Sequence, residues 1–132
     1  MLTVKAINHV GIRVSERERA LDFYRKLGFE LVWSGGPEPV AIIRNSAGIE
    51  INLIVNGARD PANQNVLLDH PTKFPGYTHV AYEIESSSIE RVVAELASLG
   101  IVITEGPVEL GGAMAVFVRD PDGNVLELRA AR

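Results

Sequence analysis

Two histidines and two glutamates stand out by type and spacing. The histidines lie in "INHVGIRV" (Ile7 to Val14) and "YTHVAYEI" (Tyr77 to Ile84), and the glutamates in "GIEINL" and "VLELR". Each interrupts a run that otherwise reads as a buried strand. His9 and His79 are 70 residues apart, and Glu50 and Glu127 are 77 apart. Two imidazoles and two carboxylates make a good donor set for one divalent ion: Ni²⁺, Zn²⁺, Co²⁺, Fe²⁺ or Mn²⁺. Four protein donors leave up to two octahedral positions for water or substrate, a catalytic arrangement more than a structural one. A small substrate with two neighbouring oxygens suits those positions. Polarising one oxygen acidifies the adjacent C–H, and a glutamate at the rim takes the proton. The chain has no cysteine, so thiolate sites and disulfides are excluded and any metal is held by His, Asp, Glu or Asn.

The elements around these residues repeat. In "NHVGIRV" Val10, Ile12 and Val14 share one strand face, and His9, Gly11 and Arg13 the other. "SERERALDFYRKLGF" follows as a helix, with Ser15 and Glu18 as a capping box, an apolar stripe through Ala20, Leu21, Tyr24 and Leu27, and Gly28 as its stop. "FELVW", "VAIIR" and "GIEINLIV" read as three strands. The second half repeats the order. "THVAYEI" is a strand, and "SSSIERVVAELASLGI" is a helix with Ser87 and Glu90 as its capping box and Gly100 as its stop. "AMAVFVRDPDGNVLELR" is a strand, a turn at Asp120 to Gly123, and a strand. Gly28 and Gly100 are 72 residues apart, close to the offsets of the His and Glu pairs, which indicates an internal duplication.

The expected fold is α+β. Two βαβββ modules, about 1–56 and 75–132, form a single domain with a mixed, cup-shaped sheet and helices on its outer face. The segment 57–74 joins them as a linker, a lid or an oligomer contact. Strand phase sets His9, Glu50, His79 and Glu127 opposite the helix-packing face, with Arg13, Asn52, Glu83 and Arg129 beside them. An axis of pseudo-twofold symmetry would bring the first four together. For any one of them alone, a polar side chain on a wetted sheet face is the blander explanation; the paired pattern favours a site. Arg13, Asn52 and Arg129 are the expected substrate contacts. Phe29 and Trp33 read as core or pocket wall, and His70 as an exposed loop residue.

Other functions are disfavoured. A net charge of −4 without a basic stripe argues against nucleic acid. No apolar run approaches a membrane span and the first residues lack a signal peptide's apolar stretch, so a cytoplasmic protein without membrane contact is the expectation.

"NHVGIRVSERERALDFYRKLGFEL", "GIEINL", "YTHVAYEI" and "VRDPDGNVLEL" together resemble the vicinal oxygen chelate superfamily, which includes glyoxalase I, the bleomycin-resistance proteins and the extradiol dioxygenases. The ligand types are most similar to those of glyoxalase I. That resemblance implies a lyase or isomerase with one divalent metal on His9, Glu50, His79 and Glu127. It implies Glu127 as the carboxylate that shuttles the proton, assisted by Glu50, and Arg13 as the anchor of an anionic substrate part such as a thiol conjugate. It also implies a homodimer. Ile54 stands where glyoxalase I carries an asparagine that contacts glutathione. Thiol transferases of the fosfomycin-resistance type and extradiol dioxygenases match only His9, His79 and Glu127. An epimerase of the same superfamily is a further alternative, as is a metal-free binder of the bleomycin-resistance type.

Overall fold

The structure is a computed structural model, and it describes residues 1–37, 39–86 and 88–130. The chain is α+β and divides into two compact units, Met1–Pro61 and Ala62–Arg132, each built on a βαβββ pattern.

In the first unit, strand β1 (Val10–Arg13) leads into helix α1 (Arg17–Lys26), then strands β2 (Glu30–Gly35), β3 (Val40–Arg44) and β4 (Glu50–Ile54). The sheet order is β1-β4-β3-β2, with β1 parallel to β4 and the other pairs antiparallel. Ala41, Ile43, Ile51 and Leu53 are buried on one sheet face, and Ala20, Leu21, Phe23 and Tyr24 are the buried side of α1. Phe29 is buried with them, in edge-on contact with Tyr24. Trp33 is half exposed and lies opposite Ile42. The cap of α1 falls one residue after the expected Ser15. Helix α1 is capped at Glu16 without a side-chain bond from that residue, and the Ser15 hydroxyl accepts from the Arg19 guanidinium at 3.1 Å. Gly28 ends the helix as expected, at φ 91°.

In the second unit, a short helix α2 (Val66–Asp69) precedes β5 (His79–Glu83), helix α3 (Ile89–Ser98), and strands β6 (Ile103–Leu110), β7 (Ala113–Arg119) and β8 (Val125–Ala130). The order β5-β8-β7-β6 repeats the topology of the first sheet, with β5 parallel to β8. Val116, Val118, Leu126 and Leu128 form the buried sheet face, and Ile89, Val92 and Leu96 the buried side of α3. Ser87, expected as the cap of α3, lies outside the described residues; Ser88 caps the helix by accepting from the Arg91 amide at 3.3 Å. The turn after β7 follows its sequence. The buried Asp120 carboxylate accepts the amides of Asp122 and Asn124, both at 2.9 Å, and Gly123 takes φ 83°.

Candidate metal and catalytic site

His9 immediately precedes β1, on the face opposite the core. Its Nδ1–H donates to Asn8 Oδ1 at 2.8 Å, which leaves the Nε2 lone pair available. Glu50 opens β4 opposite Arg44, whose guanidinium donates to Glu50 Oε1 at 2.7 Å. Arg13 and Asn52 lie on the same face. Arg13 Nε donates to Asn56 Oδ1 at 3.1 Å. Asn52 Oδ1 is buried and has no hydrogen-bond partner among the described residues. A buried acceptor in that state is costly unless something binds it.

The second unit carries the equivalent pair. His79 Nε2 stands 3.1 Å from Glu127 Oε1, and the Thr78 hydroxyl lies 2.8 Å from His79 Nδ1. Glu127 sits mid-strand in β8 and is buried, although it points away from the α3 face. Its cross-strand neighbour Phe117 meets the His79 ring edge-on at 5.6 Å. Arg129 Nη1 donates to Glu127 Oε2 at 2.6 Å, and Arg129 also reaches the Leu110 carbonyl. Both carboxylates of the expected set therefore have an arginine partner.

The donor pair in the second unit fits a divalent ion. Two donors bound at about 2.1 Å with a right angle between them stand about 3.0 Å apart, close to the 3.1 Å between His79 Nε2 and Glu127 Oε1. If the Thr78 hydroxyl accepts Nδ1–H, the Nε2 lone pair faces the carboxylate, which is the tautomer a metal requires. Among the described residues of either unit, no third His, Asp or Glu joins the pair in a ready metal cluster. The expected set is thus divided two and two between the units.

The residues that sequence reasoning passed over are the ones that orient the imidazoles. Asn8 and Thr78 each precede a histidine and each place a side-chain oxygen 2.8 Å from its Nδ1. The signal was in the repeat itself, since "NHV" and "THV" align one residue before the histidines. Arg44 and Phe117 were also passed over; only strand register brings them beside the glutamates.

The chain belongs to the Glyoxalase/Bleomycin resistance protein/Dioxygenase superfamily, whose model matches residues 6–128. It is similar to the virulence protein STM3117 of Salmonella typhimurium, at 32% identity over 132 residues, spanning 96% of this chain and 85% of that protein. It is also similar to the metallothiol transferase FosB of Shouchella clausii, at 28% identity over 128 residues, 95% of this chain and 80% of that protein. Among solved structures, a glyoxalase family protein from Enterococcus faecalis superimposes with a TM-score of 0.73 at 28% identity, covering 95% of this chain and 97% of that one. The superfamily thus includes at least one protein named as a metal-dependent transferase. No helix among the described residues is long and apolar enough to cross a membrane.

Proposed function

We propose that the chain is a metal-dependent enzyme that transfers a proton on a small substrate with two neighbouring oxygens, as a lyase or isomerase of the glyoxalase I type does. His9, Glu50, His79 and Glu127 are the ligands of one divalent ion in this reading. The observation that carries it is the pairing of His79 Nε2 with Glu127 Oε1 at 3.1 Å on the sheet face away from α3. Bound by these residues, a divalent ion supplies Lewis acidity that lowers the pKa of a C–H beside a coordinated carbonyl.

The chain's own groups do the rest. Glu127 accepts the proton and returns it to the neighbouring carbon. Arg129 holds Glu127 Oε2, so the carboxylate turns little between those two events. Phe117 keeps water from one side of the pair. Thr78 and Asn8 fix the rings of His79 and His9. Arg13 binds an anionic part of the substrate, such as the carboxylate of a thiol conjugate, and the buried Asn52 Oδ1 accepts a substrate donor. The acting form is a homodimer.

A second reading is favoured by one contact. Arg44 occupies Glu50 at 2.7 Å, which leaves His9, His79 and Glu127 as the ligands that a thiol transferase of the fosfomycin-resistance type requires; the similarity to a metallothiol transferase points the same way. The two separate in one experiment. Metal-loaded protein is assayed with the hemithioacetal of methylglyoxal and glutathione, and with fosfomycin plus a thiol. Isomerisation of the first supports proton transfer; thiol addition to the second with no action on the first replaces it.

A further inference from the structure

Beside His79, within the second unit, lies a cavity of about 150 Å³. Its apolar wall is Leu68 of α2, Phe117 and Val125; Thr78, Thr104, Glu105 and Arg119 supply the polar part. Three of those four polar groups are already engaged. The Thr78 hydroxyl is on His79 Nδ1, and the Thr104 hydroxyl donates to the Phe117 carbonyl at 3.2 Å. Arg119 donates through both terminal nitrogens to the Asp69 carboxylate, at 2.5 and 2.8 Å.

The charge around the cavity follows. Arg119 faces two carboxylates, Asp69 by hydrogen bonds and Glu105 by charge. Lys73, which donates to the Leu68 and His70 carbonyls, also bears on Asp69, so the charges around this corner balance and what matters is which donors are left to a ligand. Asp69 is held well below the usual carboxylate range, first by its hydrogen bond to Arg119 and then by the Asn65 amide, so the pair stays ionised throughout the working pH range. An anion entering the cavity meets Arg119, the cation among the lining residues, with both terminal nitrogens already on Asp69, and Glu105 opposes it. A neutral apolar group meets Leu68, Phe117 and Val125 at no such cost.

The wall is held in place. Asn65 caps α2 by accepting from the Leu67 and Leu68 amides, and its Nδ2 donates to the Gly123 carbonyl at 3.1 Å. With the Asp69–Arg119 pair this ties α2 to the strand ends at two points, so Leu68 is a fixed wall. In size, the cavity is about that of an apolar cavity that admits benzene in another protein.

We propose that this cavity is a binding site for a small uncharged apolar group, up to about a single aromatic ring, and that Leu68 sets the upper size. It deepens the reading above, on which it rests for the identity of the ligand: the group is the substrate end that carries no charge, seated next to His79.

The test needs no turnover. Protein with ¹³C-labelled Leu and Val methyls is titrated with phenol and, separately, with benzoate, which has a similar ring but a charge. Phenol is expected to shift the Leu68 and Val125 methyls saturably, with benzoate binding at least about tenfold more weakly. Leu68→Trp, which fills the space, is expected to abolish the phenol shifts. Leu68→Ala, should the larger residue prevent folding, is expected to admit 1-naphthol that the parent excludes. Unshifted Leu68 and Val125 methyls, or benzoate binding as well as phenol, would overturn the proposal. Phenol binding in a protein that takes up no metal would leave this site standing and remove the catalytic reading; metal uptake without phenol binding would do the reverse.

Discussion

At the scale of the residue, what distinguishes this chain is the way it surrounds four polar side chains with specific partners. Nδ1 of each histidine meets the side chain before it, and an arginine meets each glutamate. In the proposed reading Glu127 is the proton carrier. Glu127→Gln keeps the shape and the Arg129 contact but cannot take a proton. Turnover of metal-loaded protein is expected to fall by about 10²–10⁴-fold with circular dichroism unchanged; a variant as fast as the parent would assign the proton to another group. The ion pair at the other glutamate decides ligand number. Arg44→Leu releases Glu50, so metal affinity measured by calorimetry should rise if Glu50 is a ligand and stay level if it is not. The four proposed donors stand out in the sequence because they recur in two repeats. Arg44 was not, because its place opposite Glu50 depends on the β3–β4 register and no local pattern reports it.

At the scale of the element, the strands and helices were legible where hydrophobic period and punctuation agreed. Both helices end at the glycines the sequence marks, with φ 91° at Gly28 and 72° at Gly100. Helix starts were less legible, since neighbouring polar residues compete for the same role: α1 is capped at Glu16, one residue after Ser15, and Ser88 caps α3. Strand β6 was not marked residue by residue. "ITEGPVEL" contains Gly106 and Pro107, and its pairing with β7 shifts register twice, which breaks the two-residue period a strand should show. The helix α2 inside the segment 57–74 was missed because a single turn carries no periodicity. The close packing of this segment gives an element-scale prediction. A Cβ at Gly123 would stand 2.5 Å from the Asn63 carbonyl oxygen, at φ 83°. Gly123→Ala should therefore cost at least about 1–2 kcal/mol of unfolding free energy from the backbone alone, read as a lower urea midpoint. A midpoint equal to the parent's would show that the segment yields at no cost.

At the scale of the whole molecule, each unit buries one face of a four-stranded sheet against one ten-residue helix. The duplication made that architecture legible from the sequence, since the second unit, α2 apart, repeats the order of elements of the first. Tyr82 ties the stability of the second unit to pH. Burial pushes its phenol up to about 12, against about 10 in an unfolded chain. The folded form therefore keeps its proton over an interval in which the unfolded form loses it. Stability is complete below pH 10 and declines as pH rises from about 10 to 12. Tyr82→Phe should flatten that decline in urea titrations between pH 8 and 11.5; an unchanged slope would place the alkaline loss elsewhere. The proposed dimer is tested by light scattering, where a mass of twice the 14.3 kDa chain is expected.

The metal claim is tested most directly by elemental analysis of untagged protein, purified without chelator and dialysed against one divalent ion, beside the His79→Ala variant. We expect close to one tightly held ion per parent chain and loss of most of it in the variant. A parent that retains no ion, or a variant that retains as much as the parent, would contradict the account.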